Sequence, residues 1–388
     1  MKNITFEREL SIYTQIYTLR TITNTKAVDK VFFDYCKKKE FFVLLVLYNK
    51  KGEIYFKSSG INQFALVGGT VQPQENVRGA VERTVKGLGI STTLEAVEPI
   101  CLLENNYTCE DGCITHKGIA FMVQLPENAT EFAKLTRKTL SNFKAFSDYQ
   151  ILSIFMERYR QMISRNAGDF QEDEIETNQK YQNRYAVHNQ FVKRFLLTAK
   201  RKKKERLIQM MREKMGKPIR LLDVSCGDNS LLFSYVQEVI DRDGIIVAND
   251  ISYSQIELIP PKDGVIFTQH NAISLPFREN AFDIVYCSNT LHHIPNEHAL
   301  QSLLDSMISV GKKVIIYEIE NPEITGGFPK FLNQYYYRGF LKDVGEKYLS
   351  EGQFVQLIEE KLRQKATIQF SSFRNIQGNY LIAEITKK

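Results

Sequence analysis

The chain has 388 residues, 43% of them hydrophobic and 25% charged, with a formal net charge of +6. That length exceeds one ordinary domain and suits two, and the composition excludes disordered, collagen-like and low-complexity chains. The positive excess is concentrated in Lys200-Arg201-Lys202-Lys203-Lys204, narrower than a nucleic-acid-binding face, and reads first as a solvated helix face.

In chain order, Met1 to Glu9 has no apolar stretch of the kind a secretory leader needs. Phe41 to Tyr48 is apolar throughout and of strand length, so a strand buried on both faces is expected there. Asn49-Lys50-Lys51-Gly52 reads as a turn and Glu53-Ile54-Tyr55-Phe56 as its returning partner. Cys109-Glu110-Asp111-Gly112-Cys113 with His116 gathers soft ligands. A zinc site needs a fourth and a recognised spacing, so a surface hairpin is expected. Gly118 to Leu125 is a further strand, stopped by Pro126. Asp148 to Ser164 carries Ile151, Leu152, Ile154, Phe155 and Met162 at helical spacing and closes a first domain, 1–165. The polar, acidic stretch within 166–182 is the expected linker, and 183–388 the second domain. Tyr185 to Met215 reads as basic amphipathic helix.

From there strands and helix-length segments alternate. Strands are expected at Ile219 to Val224, Gly244 to Asp250, Val265 to Thr268, Phe282 to Cys287 and Lys313 to Glu318, with a closing hairpin at Ala366 to Phe373 and Asn379 to Ile385. This alternation predicts an α/β fold with a parallel, doubly wound sheet. In such sheets ligands bind beyond the carboxyl ends of the strands. The small-residue turn Ser225-Cys226-Gly227-Asp228-Asn229-Ser230 after the first strand permits close backbone approach. Asp250, ending the second, is placed to accept hydrogen bonds from ribose hydroxyls.

These segments resemble the class I S-adenosylmethionine (SAM)-dependent methyltransferases, in the family's order, over about Leu221 to Glu318. The turn after Val224 resembles the glycine-rich first motif, and Asp250 matches the ribose-binding acid. His270 to Phe277 with Asn280 to Val285 resembles the adenine segment and fourth strand, and Ser288 to Pro295 the motif that follows it. The resemblance implies a Rossmann-like domain with SAM as cofactor, held by Asp223, Ser225, Cys226, Gly227, Asn229, Asp250, Ile251, Asn271, Ala272, Ser288 and Asn289. Ser225 and Asn229 stand where the family often has glycine; asparagine tolerates left-handed backbone, so the turn survives. Asn271 replaces a typical aspartate. The resemblance also puts His292 or His293 near the methyl as candidate catalytic residues, with Glu318 a second wall residue. A histidine after an apolar residue is more often a helix-start residue, and Cys226 and Cys287 read as small fillers. The amino-methylating signature Asn/Asp-Pro-Pro-Tyr/Phe is absent, which counts against nucleic-acid bases as acceptors. The substrate side is expected from Tyr181 to Leu197 and from Asn321 to Val344, whose aromatic residues suit either a lid or a core-facing helix.

In the first domain, Gly68-Gly69-Thr70 through Glu75 and Arg83 to Ile90 resembles the Nudix box. That box holds divalent metal with glutamates on one helix face. Here Thr84 stands for a glutamate, Lys86 and Gly87 fall in the paired-glutamate segment, and the box is one residue short. Only Glu75 and Glu82 remain as remnants, so no metal and no pyrophosphohydrolase activity is expected. The domain would bind a ligand or mediate assembly.

Together these readings give a SAM-dependent methyltransferase acting on a small molecule. The alternatives are an RNA- or nucleotide-directed methyltransferase, a bifunctional hydrolase–methyltransferase, and a non-catalytic SAM or nucleotide sensor. Six irregularly spaced cysteines favour a reducing, cytoplasmic compartment. No run approaches the ~18 apolar residues of a membrane span, so no membrane partner is expected.

Overall fold

A computed structural model describes residues 5–39, 41–49, 51–60, 63–90, 96–125, 135–138, 150–160, 205, 209, 219–227, 239, 243–251, 265–294, 296–340, 348–375 and 378–388. The chain divides into two compact units, Met1–Ser164 and Arg165–Lys388. The expected linker, the lysine-rich run, the helices around Tyr185 to Met215 and Asn229 lie outside the described residues.

The first unit begins with α1 (Phe6–Ile16), β1 (Arg20–Ala27), α2 (Lys30–Lys37) and β2 (Phe41–Tyr48). It continues through β3 (Ile54–Gly60), β4 (Gln63–Ala65), β5 (Val67–Thr70), α3 (Val77–Lys86), β6 (Ala96–Cys109), β7 (Gly112–Gln124) and β8 (Leu135–Lys138). A helix over 150–160, α4, ends it. The sheet runs β1-β6-β7-β2-β3-β4, with β5 paired to β2 and β8 to β3. β2 is apolar throughout because it lies inside the sheet: Val43, Leu45, Val46 and Leu47 are fully buried. Its turn is made by Asn49, whose Oδ1 accepts from the N–H groups of Lys51 and Glu53. Gly52 sits at φ +73° against the Tyr159 ring of α4. Ile151, Leu152 and Phe155 of α4 close the core with Tyr48 and Phe56.

β7 starts six residues before Gly118, because it forms a long antiparallel ribbon with β6 that turns at Cys109 and Gly112. Cys113 and His116 have opposite parity along this strand and therefore face opposite sides. Cys113 is exposed, whereas His116 is buried against the Phe42 ring at 4.7 Å. The tip is a hairpin, and its cysteines and histidine do not converge.

The second unit contains β9 (Arg220–Val224), β10 (Ile245–Asn249), β11 (Val265–Thr268), β12 (Phe282–Ser288), α5 (Glu297–Val310) and β13 (Gly311–Ile319). Then come α6 (Pro322–Thr325), α7 (Gly327–Phe331), a π-helical stretch Leu332–Phe340, α8 (Glu351–Leu362), β14 (Ala366–Asn375) and β15 (Gly378–Lys387). The sheet order is β11-β10-β9-β12-β13-β15-β14. The first five strands are mutually parallel, and β15 enters antiparallel between β13 and β14. This is a Rossmann-like α/β sheet. Leu221, Ile246, Ile284 and Ile315, each worth roughly 1.5–3 kcal/mol, fill its core beside Ala248 at no measurable exposure. In the stretch after β13, Phe328, Phe331 and Tyr335 are 50%, 54% and 65% exposed, and their rings follow one another at 6.4 and 4.8 Å.

Candidate active site

The strand order reverses at β9, whose neighbours are β10 on one side and β12 on the other. A crevice opens beyond such a reversal, at the carboxyl ends of the strands. The chain leaving β9 takes left-handed backbone at Ser225 (φ +53°) and at Gly227 (φ +61°). Serine thus fills a glycine-type position, at a cost of about 1–2 kcal/mol. A Cβ on Gly227 would meet none of the described residues within 4 Å. The turn is tied to the end of β10: Cys226 N–H donates to the Asn249 carbonyl at 2.9 Å, and Gly227 N–H to Asp250 Oδ2 at 2.8 Å.

Asn249, fully buried, ties the next two strand ends together. Its Oδ1 accepts from Thr268 Oγ1 at 3.1 Å and from His270 N–H at 2.9 Å, while its amide donates to the His270 carbonyl at 3.0 Å. Asp250 N–H adds a bond to the Thr268 carbonyl. Asp250 and Ile251 on one side, and Asn271 and Ala272 on the other, are therefore carried by loops that share one buried amide. Asn271 Oδ1 caps the short helical turn Ala272–Ser274 by accepting from Ile273 N–H. Asn249 belongs to none of the sequence motifs. Its one signal is a polar side chain ending an otherwise apolar, fully buried strand.

At the ends of β12 and β13 the chain assembles a second cluster. Asn289 takes left-handed backbone (φ +54°) just after Ser288, and its N–H bonds to the Tyr317 carbonyl at 2.8 Å. The next residues form the short turn Leu291–His293, against Glu318. Glu318 Oε1 lies 2.7 Å from His292 Nδ1 and accepts from Ile319 N–H at 2.9 Å; Oε2 accepts from Leu291 N–H at 2.8 Å. Burial pushes this carboxyl up, but His292 and the two backbone N–H groups outweigh it and hold Glu318 below the usual carboxylate range. His292 stacks on Tyr348, with centroids 4.6 Å apart and planes at 14°, and touches His293 at 4.1 Å. The Arg338 guanidinium lies 5.9 Å from the Tyr348 ring centre. Burial, with the nearby acids Glu318 and Asp223, pushes the Cys287 thiol to about 12, so it is a filler and no nucleophile. Nothing in the sequence flagged Tyr348.

The carboxylates of Asp223, Asp250 and Glu318, 3%, 5% and 1% exposed, thus lie toward the carboxyl ends of β9, β10 and β13, beside a small-residue turn. Such a set of acceptors suits a ligand with a ribose, an ammonium and a positively charged sulfur.

In the first unit, Glu75 is clamped by Arg83 through two hydrogen bonds of 2.8 Å, and Arg83 also reaches the Thr70 carbonyl. Glu82 pairs with Arg78 one turn away on α3 at 2.6 Å. Thr84 is buried, donates to the Ala80 carbonyl at 2.7 Å and lies so close to Gly69 that a Cβ there would sit 2.5 Å from its Oγ1. Among the described residues no group of three or more His, Cys, Asp or Glu gathers to hold a metal.

A family model described as a methyltransferase domain matches residues 222–313. The demethylmenaquinone methyltransferase of Lactococcus lactis subsp. lactis is 24% identical over 160 residues, 39% of this chain and 62% of that protein. The ubiquinone/menaquinone biosynthesis C-methyltransferase of Shewanella frigidimarina is 26% identical over 112 residues, 27% of this chain and 44% of that one. The chain therefore spans less than two thirds of the length of either relative. A solved structure of a plantazolicin methyltransferase with SAH aligns over 56% of this chain and 99% of that chain, with TM-score 0.42 and 11% identity. No helix among the described residues is long and apolar enough to cross a membrane. The segment from β9 into β13 of the second unit thus matches a methyltransferase domain.

Proposed function

We propose that this chain transfers the methyl group of SAM to a small hydroxylated aromatic acceptor, and that its first unit is a Nudix-like fold that has lost hydrolysis and serves ligand binding or assembly. The observation that carries the reading is Asp250, buried at the end of β10 and fastened to the left-handed Gly227 across the strand reversal. In that position Asp250 holds the ribose. Ile251, Asn271 and Ala272 flank the adenine, and Asp223, Ser225, Cys226, Gly227, Ser288 and Asn289 line the amino-acid end, with Asn229 assigned there from its sequence position. When bound, SAM supplies a methyl group made electrophilic by its positively charged sulfur. The protein's part is to orient the acceptor and keep water from it, which is worth several kcal/mol. The acceptor class draws on the relatives, two of which are named for quinone methylation.

The Nudix-like reading rests on the Gly69 turn leading into α3 and on the Glu75–Arg83 clamp. Both remaining box carboxylates face arginines, and Thr84 packs where a metal-binding glutamate would stand. Cleavage of nucleoside diphosphate derivatives to the nucleoside monophosphate with Mg²⁺ or Mn²⁺ would contradict the lost hydrolysis.

Calorimetry with SAM and S-adenosylhomocysteine tests the cofactor site. The wild-type chain should bind both, and Asp250→Ala should weaken both at least tenfold. Absence of heat for the wild type with either ligand would overturn the assignment.

A further inference from the structure

We infer that Gln269 and Asn271 together read the adenine ring of the cofactor, Gln269 accepting a hydrogen bond from its exocyclic amino group and Asn271 donating one to a ring nitrogen beside that group. This deepens the methyltransferase reading above and rests on it.

A side-chain amide has one end that accepts and one that donates. A backbone group facing it decides which end is which, because a carbonyl only accepts and an N–H only donates. The amide of Gln269 lies 3.2 Å from the Ile251 carbonyl, so the atom there is its nitrogen, Nε2. Its other end, Oε1, is buried and has no hydrogen-bond partner among the described residues. Asn271 is held the opposite way round. The Ile273 N–H, 3.2 Å away, can meet only oxygen, so Oδ1 caps the turn Ala272–Ser274. The end turned from that N–H is Nδ2, which carries donors and no acceptor. Each amide is thus anchored by one end, and the ends left over are one acceptor and one donor.

The backbone brings these two ends to one side. Asn249 bonds both the N–H and the carbonyl of His270. Those two groups point the same way in extended backbone, as they do in a strand pair. Asn271 is extended as well, at φ −68° and ψ 124°. Side chains two positions apart in such a segment share a side, so Gln269 and Asn271 stand together in the chain leaving β11, and Gln269 reaches to the Ile251 loop beyond β10. An acceptor beside a donor is the complement of adenine, whose amino group donates and whose flanking ring nitrogens accept. A buried oxygen with no partner is costly to keep, and an amino N–H from the ligand removes that cost.

The test is calorimetry of the full chain with S-adenosylhomocysteine and three analogues. One lacks the exocyclic amino group, and in each of the other two a different ring nitrogen flanking that group is replaced by C–H. The wild type should bind the deamino analogue, and one of the other two, about tenfold or more weakly than the parent. Gln269→Leu should bind the parent and the deamino analogue within about threefold of each other, because the acceptor that told them apart is gone. Asn271→Asp keeps an oxygen to cap the turn but puts a second acceptor where the donor stood, and should weaken the parent about tenfold or more. Wild-type affinities for all four ligands within about threefold of one another overturn the inference. So does Asn271→Asp binding the parent as tightly as the wild type. A loss in Gln269→Leu that falls equally on the parent and the deamino analogue marks a merely structural residue and overturns the role of Gln269. A wild type that binds none of the four removes the methyltransferase reading itself. The ligand series is read on the wild-type chain, so the inference stays testable even if a variant fails to fold.

Discussion

Replacing Glu9 by glutamine should remove a pH dependence from the stability of the first unit. Glu9 lies on α1, 6% exposed, and accepts a hydrogen bond from Val77 N–H at the start of α3. Burial raises its pKa from 4.5 to about 7, and the Val77 bond only partly opposes this. The folded chain therefore keeps a proton that the unfolded chain has already released between those values. Stability is greatest below pH 4.5, falls as pH rises through the interval, and is at its lower level above about pH 7. The shift corresponds to about 3 kcal/mol. A glutamine oxygen still accepts from Val77, but nothing there titrates. Urea-unfolding midpoints, read by pulsed hydrogen exchange of peptides from α1 and α3, isolate this unit from the second, where a whole-chain signal would mix them. From pH 4.5 to 8 the variant should gain about 3 kcal/mol on the wild type. Parallel curves for the two chains over that range would refute the reasoning.

Two further substitutions probe the cofactor crevice. Asn249→Leu keeps the size but strands the His270 N–H and carbonyl groups and loosens the loops on either side. It should cost about 2–4 kcal/mol in urea and weaken SAM binding in calorimetry, and a variant with wild-type affinity would show that the two loops are independent. Gly227→Ala meets none of the described residues within 4 Å, so it should add the left-handed strain of about 1–2 kcal/mol; a larger loss in urea would show that the turn has a further neighbour.

The parallel strands of the second unit were legible because they are covered on both faces, so Ile245 to Asn249 and Phe282 to Cys287 read as nearly unbroken apolar runs. The turn at Gly52 was legible because polar residues and a glycine interrupt two such runs. β1 was not: Arg20 to Ala27 is mostly exposed and polar, and what makes it a strand is its parallel pairing with β6. His292 and Glu318 could each be named, but 26 residues separate them, and only the pairing of β12 with β13 brings their loops together. The missing glutamate at Thr84 was visible as a letter change. Its packing against Gly69 was not, because contact across a turn leaves no periodic trace.

The row Phe328, Phe331 and Tyr335, with Ile324 exposed in the same stretch, also governs how this protein must be handled. Strongly hydrated salts such as sulfate tighten apolar association, so rings exposed in this way are least exposed to it at low salt, where dilute non-ionic detergent also shields them. Salting-out is therefore a poor first step in purification.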